Sequence, residues 1–169
     1  MHLFPSSRST RSLRTVIVGC LACFATSCDR PAREHDHEHD GAHVHVAPHG
    51  GTLVPLGEEF ANLELVLDST RGTLTAFVLD GHAENALRVK QAELVLEVVL
   101  AESKAFEMRL PAVESALSGE KKGDSSQFQI VDARLAGVSQ LRGQVLSLEV
   151  RGRPFVKVAF ELKTPASAK

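Results

Sequence analysis

The sequence predicts an all-β domain, an antiparallel β-sandwich that is only loosely immunoglobulin-like. Three observations carry this. Short runs of alternating apolar and polar residues follow one another from Pro48 to Leu162, turn-forming residues separate them, and one stretch at most has helical character. The Cys–Trp–Cys core of antibody domains is absent, since the chain has no Trp.

The elements follow in order. In "NLELVLD" Leu63, Leu65 and Leu67 share one face. In "TLTAFVLD" Leu74, Ala76 and Val78 alternate with Thr75, Phe77 and Leu79. A turn containing Gly72 joins the two runs, which together read as a β-hairpin. "DGHAEN", from Asp80 to Asn85, is a second turn signal because Asp-Gly tolerates positive φ. Further strands are predicted at Ala86–Lys90, Glu93–Leu100, Ala105–Leu110, Gln127–Val131, Gln144–Val150 and Phe155–Leu162. "ELVLEVVLAE" is apolar enough for a central strand covered on both faces. "LSGEKKGDSS", Leu117 to Ser126, reads as a charged surface loop. "DARLAGVSQL", Asp132 to Leu141, is the one place for a short helix, capped by Asp132 and ended by Gly137. In "RGRP", Gly152 supplies a turn, and Pro154 blocks a ladder bond at the start of the last strand.

Ahead of this domain the chain has a different character. Arg8, Arg11 and Arg14 precede an apolar run from Thr15 to Ala25, with no acidic residue before Asp29. A basic segment followed by about 7–15 apolar residues marks a secretory signal, too short to span a bilayer comfortably. Small residues then lead to the cysteine of "ATSC". This resembles the lipobox of bacterial lipoproteins, in which that cysteine is lipidated and becomes the first residue after cleavage. The resemblance assigns lipidation to Cys28, although Ala25 departs from the leucine-like residue usual there. The alternatives are an ordinary signal peptide cut nearby and an uncleaved anchor. The expected organisation is a signal peptide over 1–27, a disordered His-rich tether over 28–47, the sandwich over 48–165 and a disordered tail over 166–169.

Cysteine usage agrees with export. Cys20 and Cys23 fall inside the signal and Cys28 is acylated, so the processed protein has no free thiol and no disulfide. Removing 27 of 169 residues leaves 142, and removing three of 19 basic residues leaves 16 against 21 acidic ones, a net charge of −5. No basic patch favours nucleic acid as a partner. With neither Trp nor Tyr, stacking platforms for sugars or bases are not expected. No nucleophile elbow, zinc-hydrolase helix motif or phosphate loop occurs, so no enzyme activity is expected.

The tether holds the chemistry. "EHDHEHDGAHVHVAPHGG", Glu34 to Gly51, contains His35, His37, His39, His43, His45 and His49, six of the eight histidines. Neutral imidazole offers a nitrogen lone pair that suits Zn²⁺, Cu²⁺ and Ni²⁺. Histidines at i, i+2 and i+4 of an extended chain share a face, so "HDHEH" can converge three imidazoles while its carboxylates point away. His43 and His45 can complete a four-ligand set across Gly41, with Asp36, Glu38 and Asp40 as ligands or supporting partners. Ordering such a loop around an ion costs about 1–2 kcal/mol per residue, so moderate affinity and fast exchange are expected. The competing reading is a passive solvated spacer. His49 is open between a metal ligand and a turn residue before two glycines. His82, in "LDGHAE", is open between an exposed turn residue and a contributor to a site with Asp80 or Glu84.

"APHGGTLVPLGEEFANLELVLD" resembles a segment of periplasmic proteins linked to heavy-metal efflux, including adaptor subunits of resistance–nodulation–division pumps. There a His-Gly-Gly motif precedes a short strand, a Gly turn and an alternating strand. "GEKKGDSSQFQIVDARLAGVSQLRGQVLSLEVRGRPF" resembles uncharacterised bacterial exported proteins of the same plan. Together the two cover most of Pro48 to Leu162, and the His-Gly-Gly element is their specific part. The resemblance implies a periplasm-facing β-domain, a divalent-metal role involving a metal-efflux system, and no known catalytic activity. The hairpin and lipoyl-like segments of an adaptor subunit are missing, so the chain is not expected to be one.

Overall fold

The structure, a computed structural model, describes residues 45–101 and 103–163. The expected signal peptide, Cys28, and His35, His37, His39 and His43 of the tether lie outside the described residues, as does the tail from 164 onward.

Eight strands form: β1 (Thr52–Leu56), β2 (Ala61–Asp68), β3 (Thr73–Asp80), β4 (Glu93–Leu100), β5 (Phe106–Pro111), β6 (Gln127–Val131), β7 (Gln140–Val150) and β8 (Arg153–Lys163). They make two four-stranded sheets, ordered β1-β2-β3-β6 and β5-β4-β7-β8, with every pairing antiparallel. The predicted sandwich is the observed fold. Its core lies between the sheets, where Leu63, Leu65, Leu74, Ala76, Val78 and Phe128 of the first meet Leu94, Leu96, Met108 and Leu148 of the second. The β2–β3 hairpin pairs Leu63 with Val78 and Leu65 with Ala76, so the alternation read from the sequence sets which face is inside. Along the flanks β1 lies beside β8 and β5 beside β6.

Four local expectations need correction. Ala86–Lys90 is not a strand. Leu79 bridges to Ala86 and the Leu87 amide donates to the Val78 carbonyl, but β6 occupies that edge of β3 from Thr73 to Phe77, and Val89 turns away to bridge Ser125. β4 is central, as expected, but only one of its faces is fully buried; the other, carrying Glu93, Val95, Glu97 and Val99, is partly covered. The predicted helix at Asp132–Leu141 shrinks to one 3₁₀ turn, Ala133–Leu135. Asp132 does cap it, its side chain accepting the Arg134 amide. An α-helix would need the Gly137 amide to reach Ala133; instead it donates to the Ser69 carbonyl at 2.9 Å, and the chain enters β7 at Gln140 rather than Gln144. The "LSGEKKGDSS" loop is exposed at Leu117 but buries Ser125 and Ser126, which hydrogen-bond to Val113, Gln127 and Glu120.

Candidate functional site

The outer face of the first sheet is where the histidines meet the fold. Along β2 the residues alternating with Leu63 and Leu65 are Asn62, Glu64 and Val66, which point away from the core. An outward glutamate is ordinarily solvated, yet Glu64 is wholly buried. Residues 49–51 cover it. Its Oε1 accepts the backbone amides of His49 and Gly51, each at 2.9 Å, and its Oε2 lies 2.7 Å from His49 Nδ1. The His49 ring lies flat on Phe77, centroids 3.7 Å apart and planes 7° off parallel. Phe77 is the cross-strand partner of Glu64, so stack and hydrogen bonds clamp one ring from two adjacent strands.

This geometry explains the two glycines that follow. Gly50 has φ +73, in the region that favours glycine, and a Cβ on Gly51 would stand 2.5 Å from the Leu65 carbonyl oxygen. A side chain at 51 would lift the segment off Glu64. "HGG" is therefore a docking element for the N-terminal edge of the domain.

It also bears on the chemistry of His49. Of the two neutral tautomers, the one protonated on Nδ1 suits a carboxylate partner, and it leaves the lone pair on Nε2. The side chain stays 43% exposed. Carboxylate-oriented imidazole is the usual arrangement behind a metal-bound histidine.

Toward the other end of β2 stand the two remaining described histidines. His45 lines a shallow cleft with Pro55, Gly57, Glu58, Glu59, Asn62 and Gly81. Its ring lies 5.7 Å, centroid to centroid, from that of His82, at 64° between planes. The turn carrying His82 is tightly built. Asn62 Nδ2 donates to the carbonyls of Asp80 and Gly81, at 3.1 and 2.9 Å. The Ala83 amide donates to the Asp80 carbonyl, and Ala83 takes φ +60. Asp80 itself accepts Asn85 Nδ2 at 2.6 Å and the Glu84 amide at 2.9 Å, and these bonds, Asn85's foremost, hold its carboxyl below the usual aspartate range.

Of the residues singled out in the sequence, the structure brings His45 together with His82, and it seats His49 on Glu64. Asp80 serves the turn through its hydrogen bonds, and Glu84 adds its backbone amide there. Glu58 and Glu59 are exposed in the β1–β2 turn. Among the described residues no three His, Cys, Asp or Glu side chains converge as a metal site. Glu64 is not among the residues that the sequence singles out. Its one signal is position: a carboxylate flanked in β2 by leucines, facing an aromatic across the ladder and preceded by a histidine with two glycines.

Comparison with protein-family models, with curated proteins and with solved structures found no match.

Proposed function

We propose that the protein is a membrane-anchored, periplasm-facing lipoprotein that binds a divalent transition metal, Zn²⁺, Cu²⁺ or Ni²⁺, through its His-rich tether. In this reading it buffers the metal or delivers it to an efflux system, and it is not an enzyme. The observation that carries the proposal is ligand density: His35, His37, His39, His43 and His45 fall within eleven residues. Two features of the folded domain support it. Donation of Nδ1–H to Glu64 leaves Nε2 of the exposed His49 ring as a donor atom, and His45 is held beside a further imidazole. Six imidazoles can supply three or four nitrogens to one ion, and such donors favour Cu²⁺ ahead of Ni²⁺ and Zn²⁺.

One observation favours a second reading, a non-catalytic interaction module on a passive spacer. The His49 side chain already packs on Phe77 and bonds Glu64, so its presence has a structural explanation without metal.

Isothermal titration with Zn²⁺ and Cu²⁺ separates the two. The protein is compared with a variant in which His35, His37, His39, His43 and His45 are all Ser. The metal reading expects micromolar or tighter binding that the variant loses. Equal binding by both chains would move the site elsewhere, and millimolar binding by both would leave the tether a spacer.

A further inference from the structure

We infer that His45 and His82 form a two-imidazole binding site for a divalent transition metal on the folded domain itself, at the mouth of the cleft between the β1–β2 turn and the Asp80–Asn85 turn. The inference rests on the metal-binding reading in one respect, the use of His45 as a ligand, and needs none of the other tether histidines.

Distance is the first argument. With metal–nitrogen bonds of about 2.0–2.1 Å, an ion shared by two imidazoles holds the ring centroids about 5–6 Å apart. The observed separation is 5.7 Å. The rings are tilted by 64°, and turning them about χ2 can re-aim their nitrogens. His82 is exposed and His45 only partly covered, which leaves room for that rotation.

Preorganisation is the second. His82 sits on a turn whose backbone is fixed from three sides: by Asn62, by the Asp80 hydrogen bonds, and by Gly81. A Cβ on Gly81 would stand 1.9 Å from the Glu59 carbonyl oxygen, so the turn is pressed against its neighbour. A ligand on such a support loses little conformational entropy when it binds, unlike one on a tether. His45 lies four residues before His49, which is clamped on Glu64 and Phe77. Cleft carboxylates Glu58 and Glu59 add negative charge beside a cation, and water fills the positions that two imidazoles leave open.

The test uses the full chain and metal ions alone. In a variant with His35, His37, His39 and His43 changed to Ser, one equivalent of Cu²⁺ or Zn²⁺ should still bind and raise the melting temperature. Adding His45→Ala or His82→Ala to that variant should weaken this binding at least tenfold, with the metal-free melt unchanged. In the unmodified chain, substoichiometric Cu²⁺ should broaden the ring resonances of His45 and His82 together. Undiminished binding after His82→Ala, or broadening that spares His82, overturns the inference. The tether proposal fails by a different route: the fourfold variant and the unmodified chain would bind the same number of ions.

Discussion

Glu64 has no surface exposed to solvent, and His49 supplies two of the three hydrogen bonds its carboxylate accepts, one from its backbone amide and one from Nδ1. The pair joins an N-terminal segment to the middle of β2. Truncating Glu64→Ala would strand the partly buried amides of His49 and Gly51 and remove the ring's partner, a loss of about 3 kcal/mol at ~1–3 kcal/mol per orphaned group. Glu64→Gln should be much milder, about 1 kcal/mol, because an amide oxygen can still accept both backbone amides. Its NH₂ would then face Nδ1 and force the other tautomer, placing the proton on Nε2. Chemical denaturation should rank the two variants in that order. Ring ¹⁵N shifts should report the switch in His49, and with it the loss of His49 as a metal donor.

The Gly81 contact yields a steric prediction. With the Glu59 carbonyl where a Cβ would be, Gly81→Ala must separate the β1–β2 turn from the turn that carries His82. Overpacking against backbone costs about 3 kcal/mol. Gly119→Ala is the control, since its Cβ would meet nothing within 4 Å and only its φ of +71 resists substitution. A Gly81→Ala chain no less stable than Gly119→Ala would contradict the packing described.

How far the fold and site were legible follows from which interactions are periodic. The buried faces of β2, β3 and β4 repeat every second residue, so Leu63, Leu65, Leu74 and Leu94 announce themselves without knowledge of their neighbours. β1 was legible only through the His-Gly-Gly resemblance, because "TLVPL" is short and holds a proline, tolerated here at an edge strand. The helix misreading came from a correct cap: Asp132 does what a helix N-cap does, but the Gly137 amide has a better acceptor in Ser69 across the structure. The Glu64 clamp was not legible. It joins residues 15 apart, and nothing in "NLELVLD" tells a covered carboxylate from a solvated one. His82 was visible as a turn residue, while its neighbour His45 depends on how the chain crosses the sheet.

Acid should weaken the loop before β6. Burial alone would raise the Glu120 carboxyl, but the Ser126 hydroxyl and amide and the Ser118 hydroxyl outweigh it and leave the group below the ordinary glutamate range. A carboxyl depressed in the folded state contributes stability that is fully present above its unfolded pKa, ~4.3, and lost as pH falls through the folded value. Glu120→Gln should therefore lower the melting temperature at pH 7. Its deficit relative to the unmodified chain should shrink below about pH 4.3. A deficit that stayed constant down to pH 3 would mean that charge on Glu120 contributes nothing.

The anchor is the remaining prediction, and it concerns a residue outside the described structure. Cys28 closes "ATSC" after an apolar run too short to span a bilayer comfortably, so membrane attachment in this reading rests on acyl chains rather than on a helix. Each buried CH₂ contributes about 0.8 kcal/mol, and two chains suffice for stable attachment where one does not. Cys28→Ser removes the acceptor thiol and every chain with it. The variant should leave the membrane fraction for the soluble periplasm, or accumulate as an unprocessed precursor if cleavage requires prior acylation. Fractionation followed by mass spectrometry of the mature N-terminus reads both outcomes. A correctly processed Cys28→Ser protein still held in the membrane would show that attachment comes from elsewhere in the chain, and the lipoprotein assignment would fall.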